Sequence, residues 1–120
     1  MAGSISFTEI TQGSVKKIKA EWTSDASGDV SGNSTTNFYN GKLIMVATDP
    51  HATAPTDNYD IVLNDSDSID LAQGNLANRD TADTEYVAEA NLGAVVNSKI
   101  TPVVSNAGNA KRGTIYIYLR

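Results

Sequence analysis

The chain has 120 residues, no cysteine, one histidine and a formal net charge of −5, from 9 Lys and Arg against 14 Asp and Glu. That length corresponds to a single domain, residues 1–120, able to bury one core without covalent staples, and the lack of thiols excludes disulfides and thiolate metal sites. The acidic balance argues against nucleic acid as a partner, because affinity for a polyanion comes mostly from Lys and Arg neutralising phosphates; no run approaches the roughly 20 apolar residues of a membrane-spanning helix, so no membrane partner is expected.

Met1–Glu9 has neither the basic region nor the apolar stretch of a secretion signal; the absence of cysteine fits synthesis in a reducing cytoplasm. Ile5, Phe7 and Glu9-Ile10 read as a first short strand, and Gln12-Gly13 as a turn. From Ser14 to Thr23 the chain alternates: Ile18, Ala20 and Trp22 fall on one face, Lys17, Lys19 and Glu21 on the other. This is the period of a half-buried strand. Val15 is out of phase, which places a bulge near Lys16-Lys17. Lys16, Lys17 and Lys19 read as a solvated face that also discourages edge pairing, with a basic docking patch as the alternative. Ser24–Asn33 is turn chemistry, and Ser34–Tyr39 reads as the next strand.

Asn40-Gly41 then predicts a two-residue hairpin turn, since both residues tolerate positive φ. The following run, Lys42–Thr48, includes a stretch apolar on both faces and reads as a strand buried on each side. Tyr59, Ile61 and Leu63 alternate with Asp60, Val62 and Asn64. The two strands are expected to be neighbours at the centre of the fold. Between them, residues 49–58 form a polar loop stiffened by Pro50 and Pro55 and carrying His51.

After Leu63 a turn leads to Ile69, Leu71 and Leu76, expected to anchor an irregular or one-turn helical segment to the core. Residues 78–84 are polar. Glu85–Glu89 reads as a strand, with a short helix over 84–91 as the competing assignment because Ala and Glu favour helix. Lys99–Ser105 is a strand whose Pro102 points to a sheet edge or bulge. The last strand is Gly113–Leu119, with Ile115, Ile117 and Leu119 inward and Thr114, Tyr116, Tyr118 and Arg120 outward. About eight short strands with little helical periodicity predict an all-β, antiparallel β-sandwich.

No catalytic constellation stands out. His51 alone supplies neither a multi-histidine metal site nor a triad. Asp65-Ser66-Asp67-Ser68-Ile69-Asp70 invites a calcium reading, but EF-hand spacing fails, with Asp70 where Gly is required and Leu76 where Glu is required; a turn whose side chains bond local backbone is the simpler reading. Glu85 and Glu89 are a weak glycosidase pair. Trp22 on the apolar face of its strand reads as core rather than a stacking platform. Arg79 beside Asp80 reads as a loop ion pair or a donor to carbonyls. No cofactor, metal ligand set or catalytic residue is assigned, and the chain is not expected to be an enzyme. Tyr116 and Tyr118 differ from these: aromatic residues on an outward strand face are typical of protein contacts, with cross-strand pairing within the sandwich as the equal alternative.

Several phrases together carry a resemblance. They are Trp22-Thr23-Ser24-Asp25 with Gly28-Asp29-Val30-Ser31-Gly32, the proline loop leading into Asn58-Tyr59-Asp60-Ile61-Val62-Leu63, then Ile69-Asp70-Leu71, Asn78-Arg79-Asp80-Thr81 and Thr84-Glu85, and finally Ser105-Asn106-Ala107-Gly108 before Gly113–Tyr118. From about residue 15 to 120 the chain resembles small virion proteins of tailed bacteriophages encoded near the major capsid protein, and is similar to capsid decoration, or cement, proteins with jelly-roll-like folds. The resemblance implies a structural protein on the outer capsid surface. Its implied partners are the major capsid protein and itself, as a homodimer or homotrimer. A tail or head–tail connector component is the alternative, and a carbohydrate-binding β-sandwich module a second. The docking residues expected under this reading are Tyr116, Tyr118, Pro50, His51, Pro55 and Arg79, on the terminal strand and the two long loops 48–58 and 64–83.

Overall fold

The computed structural model describes residues 3–120. Eight strands run in chain order: β1 (Ser4–Ile10), β2 (Lys16–Thr23), β3 (Tyr39–Pro50), β4 (Asp60–Asn64), β5 (Glu85–Ala88), β6 (Ala94–Ser98), β7 (Thr101–Ser105) and β8 (Arg112–Leu119). A 3₁₀ turn at Glu89–Asn91 is the one helical stretch among the described residues. The protein is all-β, and all its named strand pairs are antiparallel. The larger sheet has the order β1-β2-β8-β3-β5, with β6 also pairing β3; β4 and β7 form a second, two-stranded sheet.

The core lies between these sheets. The larger sheet contributes Ile18, Ala20, Trp22, Leu43, Val46, Ile115, Ile117 and Leu119, and the smaller contributes Ile61, Leu63 and Val104. Trp22 is buried, and its ring meets that of Tyr59 at 5.6 Å, tilted by 50°. Burial of these side chains drives the two sheets together. The open flank of β4 is covered by its own following segment: Leu71 N–H donates to Leu63 O at 2.7 Å and Ile61 N–H to Leu76 O at 3.0 Å. Pro102 pairs with Leu63, whose backbone groups turn toward residues 70 and 71, away from β7. The proline's missing N–H therefore costs no ladder bond.

Several expectations are corrected. Asn40-Gly41 is not a hairpin turn, and Ser34–Phe38 is not a strand: β3 runs unbroken from Tyr39 through Gly41 to Pro50. Gly41 has φ +143°, and the Arg120 carbonyl occupies the place a Cβ would need. The glycine serves a close backbone approach at a bulge rather than a reversal. The strands 42–48 and 59–63 are not sheet neighbours; they lie in different sheets. β2 is interior to its sheet, so its lysines guard no edge, and its pairings with β1 and β8 run without a register shift near Lys16-Lys17. Val15 simply precedes the strand. Ile69 is exposed rather than an anchor, while Leu71 and Leu76 are buried as expected. β6 was not anticipated, because Ala94–Ser98 lacks clear alternation; Asn97 N–H is held by Asn40 Oδ1 at 2.7 Å. The 84–91 ambiguity resolves as a strand followed by a 3₁₀ turn; the Lys42 ammonium donates to the carbonyl of Glu89, its first residue, and to that of Leu92, just past its end.

Candidate docking face

The outer face of the larger sheet follows from register. Lys17 pairs Tyr118, Tyr118 pairs Met45, and Met45 pairs Ala88; one step along, Lys19, Tyr116, Ala47 and Tyr86 form the parallel row. Because side chains alternate across a strand, these residues all project away from the core. The result is a surface with Tyr116, Tyr118 and Tyr86 around Met45 and Ala47, and acidic Asp49 with Thr84 at one end. Tyr86 is 67% exposed, whereas Ala47 beneath the rings is only 4% exposed. The Lys17 ammonium lies 5.5 Å from the Tyr116 ring centre and 5.7 Å from that of Tyr118, a cation–π arrangement that orders both rings. No other part of the described chain covers this face.

Of the expected docking residues, Tyr116 and Tyr118 sit together here. Pro50 ends β3 opposite Gly113, and exposed His51 borders a shallow cleft of about 210 Å³ with Ser4, Glu21, Arg112 and Thr114, beyond the acidic end of the face. Pro55 and Arg79 are placed differently. Pro55 is buried, and its carbonyl accepts from Thr81 Oγ1 at 2.5 Å. The Arg79 side chain is 13% exposed; it pairs with Glu85 at 3.6 Å and donates to Ala77 O, not to Asp80. Both residues tie loop 48–58 to loop 64–83 from within, reinforced by Asn58 N–H donating to Arg79 O and Arg79 N–H to Tyr59 O.

Tyr86 was missed in the sequence. Its alternation with buried Val87 gives its side, but only the pairing of β5 with β3 brings it beside Tyr116. The other candidates are accounted for structurally. Asp65 Oδ1 accepts from the N–H groups of Asp67 and Ile69, and the Asp70 carboxylate from those of Leu63, Ala72 and Gly74. These are backbone-capping carboxylates. Glu85 and Glu89 pair with different arginines, Arg79 and Arg120. Trp22 lies on the opposite side of the sheet from the tyrosines, so the aromatic residues do not share one concave surface. At the far end of β1, the Tyr39 hydroxyl donates to Glu9 Oε1 at 2.7 Å, and the N–H groups of Thr36 and Asn37 donate to the same carboxylate. Partial burial opposes ionisation of Glu9, but these donors outweigh it and hold the carboxyl below its ordinary value.

Comparison with known proteins finds no matching family model, no similar curated protein and no similar solved structure.

Proposed function

We propose that this chain is a non-enzymatic virion protein, a capsid decoration or cement protein of a tailed bacteriophage, which docks on the lattice of the major capsid protein and stabilises the head. The observation that carries the docking part is the uncovered sheet face with Tyr86, Tyr116 and Tyr118 around an apolar floor. Tyrosines held on a rigid sheet offer large contact area at little entropic cost, the composition of interaction hot spots. The phage assignment rests on the sequence resemblance, which also implies a jelly-roll-like relationship and a homo-oligomer. A stiff β-domain repeated over a shell gains from avidity, since many modest contacts on one lattice act together. The acidic balance suits a protein facing solvent rather than packaged DNA.

The test is to add the purified chain to phage heads lacking it and to locate it by cryo-electron microscopy. Dense, regular occupancy of the shell, with heads made more resistant to heat or chelators, is the expected result. Occupancy confined to one ring at the portal vertex identifies a connector instead. Absence from heads, together with binding to a glycan array, overturns the reading in favour of a carbohydrate-binding module.

A further inference from the structure

The larger sheet ends in an edge without protection. Ser24 N–H donates to Lys111 O, so the even-numbered residues of β2 turn their backbone groups toward β8 and the odd-numbered ones toward β1. In the β1–β2 register this places Ser4, Ser6, Thr8 and Ile10 in bonded pairs with β2. The N–H and C=O groups of Ile5, Phe7 and Glu9 then point out of the sheet, and no described residue bonds to them. β1 lacks most of the usual defences of an edge: it contains no Lys or Pro, shows no register shift, and is seven residues long. Its single charge, Glu9, is already engaged by Tyr39, Thr36 and Asn37.

We propose that β1 is the self-association edge: two copies pair antiparallel through β1 about a two-fold axis at Phe7, joining their larger sheets into one. This register sets Phe7 against Phe7 of the second copy and Ile5 against its Glu9, so every outward backbone group finds a partner. A shift of the register leaves some of them unpaired. On the outer face Ser6 meets Thr8 and Ser4 meets Ile10, and no like charges oppose. That matters for a chain of net charge −5, whose copies repel over much of their surface. Phe7 and Ile5 are only partly buried against the core, so the second copy covers apolar surface as well. A two-fold contact of this kind is closed, which limits assembly to a dimer rather than a fibre. The inference deepens the self-association part of the proposed function and is tested on the isolated chain, so its failure leaves shell docking to be judged on its own.

Sedimentation velocity of the wild-type chain should give twice the 12.7 kDa chain mass. The double variant Ser6→Lys/Thr8→Lys alters two exposed positions and opposes like charges across the axis; it should be monomeric with an unchanged circular dichroism spectrum, and its melting temperature, unlike that of the wild type, should not depend on protein concentration. Mixing it with Ser6→Glu/Thr8→Glu should restore a dimer containing one copy of each. In amide exchange, Ile5, Phe7 and Glu9 should be protected in the wild type and exchange freely in the lysine variant, while the backbone amides at positions 6 and 8 stay protected in both. A wild-type monomer or trimer, a dimer indifferent to the lysines, or free exchange at Ile5, Phe7 and Glu9 in a wild-type dimer overturns the proposal.

Discussion

Arg120 closes onto Gly41: the Arg120 carbonyl oxygen lies 1.9 Å from where a Gly41 Cβ would stand, and the neighbouring residue, Lys42, exchanges two backbone hydrogen bonds with Arg120 at 2.8 and 3.0 Å. The end of β8 is thereby fixed to β3 at the point where β3 also contacts β6. Gly41→Ala therefore forces backbone apart rather than moving a side chain. The expected loss is about 2–4 kcal/mol, from overpacking plus a φ of +143°. Urea denaturation measures it; an unchanged midpoint contradicts the close approach.

Gly113 stands in a similar relation to Trp22. A Cβ there would come within 2.5 Å of the indole ring, which is buried and rigid. Gly113→Ala should displace the ring, costing about 1–3 kcal/mol, and change the near-ultraviolet circular dichroism of the single tryptophan. Preserved stability with an unaltered aromatic spectrum counts against the packing described.

The Glu9 cluster predicts an acid-sensitive contribution. Because the folded carboxyl titrates below its unfolded value of 4.5, the stabilisation is fully present above that value and is lost as pH falls through the lowered folded one. Glu9→Gln should destabilise the protein by about 1 kcal/mol at neutral pH, a modest figure because the site is partly exposed. The difference from wild type should shrink toward pH 3. A difference independent of pH removes the charge from the argument.

At the alkaline end two phenols lag. Burial pushes the Tyr59 hydroxyl up to about 12, and burial with the adjacent Glu9 carboxylate pushes that of Tyr39 up as well. Both favour the neutral form in the fold, so their contribution is intact below the unfolded value of 10 and disappears as pH rises through the raised ones. Spectrophotometric titration should show fewer phenolates at about pH 11 in the folded protein than in urea. Tyr59→Phe should remove part of that lag. Identical curves for folded and unfolded chains refute it.

On the outer face, stability and docking should separate. Tyr86 is two-thirds exposed and no described residue pairs with its hydroxyl, so Tyr86→Ala should change stability by no more than about 0.5 kcal/mol. If this surface carries docking, the same substitution should weaken shell binding by about tenfold or more. Full occupancy of heads by Tyr86→Ala would move the docking surface elsewhere.

Much of this protein was legible in the residue order. Period-two alternation marks β1, β2, β4 and β8 and gives the inward set Ile18, Ala20, Trp22, Ile115, Ile117 and Leu119, because a strand's side chains must alternate whatever it pairs with. The turn chemistry of Asp65–Asp70 was also readable, since its bonds are local. Pairing was not local and was not readable. Whether Asn40-Gly41 reverses the chain or lets a carbonyl 79 residues away approach depends on Arg120, which no short-range signal reports. The same holds for Arg79, whose partner is Glu85 rather than its neighbour Asp80, and for Tyr86, which joins Tyr116 only through β3. The local pattern determined which side of each strand is apolar. Tertiary structure alone decided which strands lie side by side, and with that it left the outward backbone groups of Ile5, Phe7 and Glu9 on β1 unpaired among the described residues, because sheet hydrogen bonds are made between segments and carry no trace in either one.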